Sequence, residues 1–544
     1  RFKPTLAKPP HYVVIENPQA KEIEGLIYAT WSGGNGNGQV KAYAIHLSDD
    51  GKSWSNPILT GPLEIRLANE QPILFPKKTN KRFIKFLVTD AHTLDGRSLA
   101  SIGKLDVMTT LFKDASKSKV TVSSRSTEDL KQVIEGFAER AFSSSLSEEE
   151  LAPYYQASLD ALKEGESFVE SAKIGFKAVL CSHRFLMAPG EHENQSYARA
   201  AALARTFWLS VPDQESLKIS SADELAIKEV PAQVDRMIKD PRSRRMIRSF
   251  SNQWLDLRSF DKIGPSLKLY PLYNDLLNHY LPLETEAYLD HLIRENLPVG
   301  RLIDSDFSFL NQRLAQHYGI PGIYGQNLRK VSFEPKVPRG GLLTMGSVLK
   351  VTADGFDTSP ILRGAWISKN IAGNTLSPPP EEVEVIEPEH GKDAATLREQ
   401  IEEHKSNPAC YACHKSIDPY GFALESFDAT GYWRTQYRVK LPHRGTFQYR
   451  PKGYFKLAGE VDAAGEIDKA KFADIFGLKK ILLSDHKKVA YNFVKKFFEY
   501  ANGYKPSLKE RLDLFAMIPE EPEQCRMKDL ITRTLVYSME SQSE

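Results

Sequence analysis

Cys410, Tyr411, Ala412, Cys413 and His414 form a C-x-x-C-H box in a chain that holds only four cysteines. The box limits the local fold sharply, because side chains at i, i+3 and i+4 share one face only where the backbone is helical. On such a turn two thiols can form thioethers to one porphyrin while the imidazole reaches its iron. The spacing is that of a covalent attachment site for one c-type haem. A haem held by helices is the expectation.

Two other uses of these residues compete. Cys410, Cys413 and His414 suit a zinc ion, with His404, ten residues before His414, as fourth ligand. A redox-active C-x-x-C pair is the other, but that motif belongs between a strand and a helix of a βαβ unit, and no such pattern is visible. Of the remaining cysteines, Cys181 lies in an apolar helical stretch and reads as a buried packing residue. Cys525 lies in a polar segment, and a bridge between the two is allowed but not demanded by spacing.

At 544 residues the chain is too long for one core and implies two to four domains. It carries 41% hydrophobic and 26% charged residues, the profile of a soluble globular protein. Its 72 basic and 70 acidic side chains leave a net charge of +2, which argues against nucleic acid as a partner. No apolar run approaches the ~18 residues of a membrane span. The sequence starts at Arg1 without an initiator Met or signal peptide, the pattern of a chain that has lost an N-terminal portion. Because covalent haem attachment takes place outside the bacterial cytoplasm, the box implies export to the periplasm or cell surface.

Residues 1–112 read as an all-β sandwich. Gly25 to Trp31, Val40 to Leu47 and Arg82 to Thr89 are apolar or alternating, with turn chemistry at Gly33 to Gly38 and Asp49 to Gly51. Large aromatics mostly serve packing, so Trp54 and Phe86 are expected in its core. Residues 113–127 are a polar linker ending in a helix N-cap signature. From there the period becomes helical: Leu130, Val133, Ile134, Phe137, Ala138 and Ala141 fall on one face. A helical domain over 128–335 follows, with Trp208 and Trp254 expected in its core. Residues 336–544 form the haem domain, interrupted by an acidic polyproline-like crossing at 376–390 and a short helix at 393–404. Four further helices are expected at 471–483, 487–500, 507–517 and 527–539.

Two resemblances extend this reading. Tyr43-Ala-Ile-His-Leu-Ser-Asp-Asp-Gly-Lys-Ser-Trp54 and Lys81-Arg-Phe-Ile-Lys-Phe86 resemble the later strands of discoidin-type (coagulation factor 5/8 type C) jelly rolls, which implies a module that binds a glycan or a surface component. Over about 128–540 the chain resembles the planctomycete-type c-type cytochrome proteins, which carry several consecutive domains of unknown function. The phrases that carry this are Phe137-Ala-Glu-Arg-Ala-Phe142, Gln233-Val-Asp-Arg-Met-Ile238, Gln253-Trp-Leu-Asp-Leu257, Phe309-Leu-Asn-Gln-Arg-Leu-Ala-Gln-His-Tyr-Gly-Ile-Pro321, Gly340-Gly-Leu-Leu-Thr-Met345, Thr358-Ser-Pro-Ile-Leu-Arg-Gly364 and the box running into Ile417 to Asp428. An insertion from Val439 to Tyr454 departs from the family's shorter connection, and no second C-x-x-C-H is present.

His414 is the proximal ligand by the logic of the box. Its other ring nitrogen needs a carbonyl or carboxylate partner, and the turn Ile417-Asp-Pro-Tyr-Gly421 is the nearest segment able to supply one. Met345, flanked by glycines that let backbone approach a porphyrin, is a candidate distal ligand, against the alternative that it packs the core. His404 is an alternative distal or supporting residue; Met517 and Met527 are weaker ones. Arg363 is a candidate partner for a haem propionate through its planar fork, or else a surface ion pair.

Three function classes follow. The first is an exported monohaem electron-transfer protein, with a redox partner protein and a sandwich that tethers it to a glycan or neighbour. The second is a haem enzyme, peroxidase-like or oxidising a saccharide-derived substrate, because one haem needs only about a hundred residues around it. The third is a surface assembly protein. Asp304, Asp306 and Glu425 read as solvated or structural carboxylates.

Overall fold

A computed structural model describes residues 11–18, 22–29, 40–63, 70–91, 102, 104–109, 126–142, 146–186, 195–221, 225–267, 269–355, 357–374, 398, 408–440 and 455–541. It divides into two compact units, residues 1–121 and nearly all of 122–544.

In the first unit, β1 (His11–Glu16), β6 (Phe83–Ala91), β3 (Val40–Ser48) and β4 (Leu59–Pro62) form one sheet in that order; β5 (Glu70–Thr79), β2 (Ile23–Ala29) and β7 (Lys104–Thr109) form the other. The pairings are all antiparallel. Period-2 alternation puts Ile84, Phe86 and Val88 of β6 on one buried face with Tyr43 and Ile45 of β3 and with Leu26 and Tyr28 of β2. Phe86 stacks between Tyr43 and Tyr28, with centroids 5.6 and 6.0 Å away. The sandwich and the core place of Phe86 are as expected. Trp54 is not in that core: it is half-exposed, and the Lys85 ammonium lies 3.9 Å from its ring centre. The sequence argument overlooked that an aromatic beside a strand lysine can be covered by that side chain's stem and charge instead of by a second sheet. Gly33 to Gly38 lies outside the described residues.

The second unit is mainly helical. Helices α1 (Thr127–Phe142), α2 (Glu148–Lys163) and α3 (Phe168–Cys181) bury Leu130, Ile134, Ala138, Phe142, Leu151, Ala172 and Val179 together. Ser126 and Ser147 accept from backbone N–H groups at the starts of α1 and α2. Val133, expected on the apolar face, is exposed. Cys181 also faces solvent, and Cys525 is buried; both thiols are free. The last turn of α3 thus carries Cys181 outward two residues beyond buried Val179, which reverses the packing expectation for Cys181 and leaves no bridge.

A larger core runs from Leu203 to Met539 without a break at 335/336. Phe250, on the Arg244–Trp254 helix, stacks on Trp254 and meets the edges of Phe493 and Phe497 from the His486–Asn502 helix. Burying each such ring contributes roughly 1.5–3 kcal/mol, so one apolar interior joins side chains from both sides of 335/336. Trp208 and Trp254 sit in it as expected, and Trp254 donates to the Asn370 carbonyl at 2.8 Å. The C-terminal helices Ile475–Ser484, His486–Asn502, Leu508–Ala516 and Met527–Ser541 lie close to their expected bounds. No helix among the described residues is long and apolar enough to cross a membrane. The linker at 113–125, the 376–390 crossing and all of 393–404 but Arg398 lie outside the described residues. The strands Gln436–Lys440 and Phe455–Glu460 on either side of the 441–454 segment pair antiparallel.

Candidate functional site

The box opens one continuous helix, Pro408–Phe422. Its backbone therefore sets residues 410, 413 and 414 on one face, as thioether attachment requires. The side chains of Cys410 and Cys413 lie outside the described residues, and so does all of His404. Burial rises along this helix: Tyr411 is exposed, while Asp418 and Tyr420 are buried.

The segment expected as a turn, Ile417 to Gly421, is instead the helix's continuation through Pro419. Proline sacrifices one N–H bond, yet its fixed φ is compatible with helix. The consequence is chemical. His414 and Asp418 stand at i and i+4, and the imidazole Nδ1 lies 3.0 and 3.1 Å from the two oxygens of Asp418. Asp418 is wholly buried and the His414 side chain nearly so, at 12%. A carboxylate accepts, so Nδ1–H donates to it, and Nε2 is the nitrogen for an iron.

The Pro360–Asn370 helix fixes this helix in place. A Cβ on Gly364 would sit 2.1 Å from the Ile417 carbonyl oxygen, and one on Gly421 only 1.8 Å from the Pro360 oxygen. Backbone meets backbone at both points, so the approach requires glycine.

Arg363, on the same supporting helix, is fully buried. Its Nη1 donates to the carbonyls of Leu424 at 2.8 Å and Phe427 at 2.7 Å and to Glu425 Oε1 at 3.2 Å; its Nη2 donates to the Asp428 carbonyl at 3.1 Å. The fork is thus spent on the chain leaving the box helix. Among the described residues Nε is buried without a partner. The surface ion pair expected as an alternative is overturned, since the pair formed is fully desolvated. Burial pulls the guanidinium below its ordinary value, and Glu425 opposes that pull.

Glu425 is the centre of this network. Its second oxygen accepts from Thr358 at 2.6 Å and from Arg434 Nη2 at 3.0 Å. Asp428 Oδ1 accepts from the Thr430 and Tyr432 N–H groups and the Thr430 hydroxyl, forming a tight turn. Its Oδ2 faces Arg438 at 3.4 Å as an ion pair without hydrogen-bond geometry. Of the other carboxylates singled out in the sequence, Asp304 pairs with Lys479 and Asp306 with Arg301.

Met345 lies in the main core, 2% exposed, and its sulfur accepts from the Thr285 hydroxyl at 3.3 Å. The structure thus places it as packing, the alternative given in the sequence reading. The preceding glycines make their close approach to protein, not to a macrocycle. Gly340 and Gly341 have φ of +103° and +78°, and added Cβ atoms would meet the carbonyls of Ser305 and Ile303. Arg339 locks this loop by donating to Thr344 and Gly431 carbonyls while lying over Tyr318. Beneath it, buried Glu284 accepts from Ser308 and Tyr318. Burial pushes that carboxyl up to about 7, against the pull of these donors and Arg339.

Sequence reasoning found His414 and the segment beside it and read Glu425 as a solvated or structural carboxylate, but missed Arg434 and Glu284. The i, i+4 spacing of His414 and Asp418 was a signal hidden by Pro419, while the network residues carry no local signal. Among the described residues no group of three or more His, Cys, Asp and Glu side chains is placed to hold a metal ion. An open groove of about 920 Å³ on the Arg244–Trp254 and Asp275–Arg294 helices includes none of the site residues.

Family models match four stretches of the chain. Residues 1–101 match the F5/8 type C domain. Residues 129–189 match PSD5, a protein of unknown function (DUF1595), and residues 195–320 match PSD4, a protein of unknown function (DUF1592). Residues 339–437 match PSCyt3, a protein of unknown function (DUF1588), and this stretch holds the box, Arg363, Asp418, Glu425 and Arg434. No curated protein matches. The chain therefore carries three consecutive domains of the planctomycete type behind a discoidin-like module, as its phrases implied.

Proposed function

We propose that a chain with this order of domains is an exported monohaem c-type cytochrome that passes single electrons to a redox partner protein, tethered through its discoidin-like sandwich to a glycan or cell-surface component. The observation that carries the reading is the donor set on one helix: two cysteines and a histidine at i, i+3 and i+4, with that histidine anchored by a wholly buried carboxylate. These residues fit a covalent haem. Cys410 and Cys413 would hold it by thioethers, and His414 would ligate its iron through Nε2. When bound, haem supplies one-electron exchange between ferric and ferrous iron.

The chain's own part is to bind and orient. Asp418 fixes the imidazole's tautomer and ring plane. Gly364 and Gly421 let the Pro360–Asn370 helix seat the box helix against backbone, and Arg363 ties down the chain that leaves it. Export to the periplasm or cell surface belongs to the same proposal, since thioether attachment is made there.

The test is expression of the full chain with a c-type haem maturation system. Mass spectrometry should find one haem's added mass on the tryptic peptide containing Cys410 and Cys413. Reduced spectra should show a low-spin haem inert to carbon monoxide and peroxide. Bare thiols or a zinc ion on that peptide would overturn the haem, and a high-spin haem reacting with peroxide would move the chain to the haem-enzyme class.

A further inference from the structure

We propose that Asp418 is a positioning residue that sets the reduction potential of the haem: its buried carboxylate, hydrogen-bonded to His414 Nδ1, makes the proximal imidazole a stronger donor and holds the iron toward the ferric state. The inference rests on the haem reading above and adds to it the direction in which the protein tunes the group.

Three observations carry it. The contact is made by a carboxylate, although a backbone carbonyl would have sufficed to fix the ring. Both oxygens lie within 3.1 Å of Nδ1, so the negative charge is centred on the N–H. Asp418 is 0% exposed, so water does little to screen that charge from the far side of the ring. Between the two oxidation states the ferric one carries an extra positive charge, and a fixed anion one imidazole away stabilises it selectively. The geometry is rigid, because helix register sets the i, i+4 spacing and backbone contacts at Gly364 and Gly421 hold the helix on either side of Asp418. An exposed or mobile carboxylate would instead be screened.

The experiment is a spectroelectrochemical titration of the full haem-loaded chain and its Asp418→Asn variant, which keeps size and a hydrogen-bond acceptor and removes the charge. The variant should favour the ferrous state at least tenfold more strongly, a rise of about 59 mV or more for one electron. Asp418→Glu, which restores the charge one methylene further out, should return most of that shift. A purely structural role would lower the melting temperature of both variants and leave their potentials at the wild-type value, and that result overturns the proposal. Should neither variant fold, nitrogen-15 NMR of His414 Nδ1 in the wild-type low-spin ferrous protein decides the question. A resonance displaced toward that of an imidazolate, as a carboxylate acceptor causes, supports the proposal, and one at the position of a carbonyl-bonded imidazole overturns it. Failure of the haem reading is seen separately, as absence of haem mass on the box peptide.

Discussion

Replacing Arg363 by Met separates two accounts of why an arginine sits behind the box helix. Methionine fills nearly the same tunnel with an unbranched chain, so the change removes donors and charge more than volume. In the wild-type protein the guanidinium serves three backbone carbonyls and one oxygen of Glu425, all buried. The Leu424 and Asp428 carbonyls keep backbone N–H partners, from Phe427 and Gly431; the orphaned Phe427 carbonyl costs about 1–3 kcal/mol, and breaking a buried pair from one side costs about 3–5 kcal/mol. These overlap, because Thr358 and Arg434 still hold the other oxygen of Glu425. We expect a net loss of about 4 kcal/mol, at the middle of the range for a broken buried pair. With a denaturant slope of about 3 kcal/mol per molar urea, the midpoint of the helical circular dichroism transition should fall by on the order of 1 M. The assay is run on chain made without haem as well as with it. If the midpoint of the haem-free chain is unchanged and only the loaded protein is weakened, the residue serves a propionate and the argument from carbonyls fails.

Glu284→Gln should remove a pH dependence. The native carboxyl keeps its proton up to about 7, whereas the unfolded chain gives it up near 4.5, so stability contributed below 4.5 is lost as pH rises toward 7, about 3 kcal/mol in all. Burial pulls His317 down to about 4, which gives the opposite slope between 4 and 6.5; the readout is therefore the wild-type minus variant difference in urea midpoint, and a difference flat with pH refutes the reasoning. Gly421→Ala should cost about 3 kcal/mol by overpacking, since the carbonyl its Cβ meets is backbone and cannot turn aside; a melting temperature within a degree or so of wild type would show that the two helices separate freely. Trp54→Ala should cost no more than about 1 kcal/mol, the value of an exposed cation–π contact, and a loss of several kcal/mol in the sandwich's own unfolding transition would return Trp54 to the core.

What was legible in the sequence is what short spacing encodes. Alternation found β2, β3 and β6 within a few residues, and the 3.6-residue period found α1 and the four C-terminal helices. The errors share a cause: each needed knowledge of what lies across the element. Trp54, a large aromatic, is half-exposed, and Cys181, in an apolar stretch, faces outward, because burial depends on the partner surface and not on the residue. That one apolar interior draws on both sides of 335/336 was hidden for the same reason, since Phe250 and Phe493 lie far apart in sequence and nothing local announces that their rings touch.

The candidate site divides along the same line. Cys410, Cys413, His414 and Asp418 lie on one helix, so chemistry and spacing together could reach the first three and come within a turn of the fourth. The Arg363, Glu425 and Arg434 network is assembled from separate segments, and each residue alone looks like an ordinary surface charge. Burial turns that ordinary charge into a constraint: a desolvated guanidinium must find acceptors, and Arg363 finds the carbonyls of Leu424, Phe427 and Asp428 in the chain just beyond the box helix. The glycine at 364 belongs to the same logic, because only a helix without a side chain there can bring its neighbouring arginine close enough to reach them. Thus the phrase Ser359-Pro-Ile-Leu-Arg-Gly364, which carries no recognisable catalytic pattern, is as much a part of the candidate haem site as the cysteines.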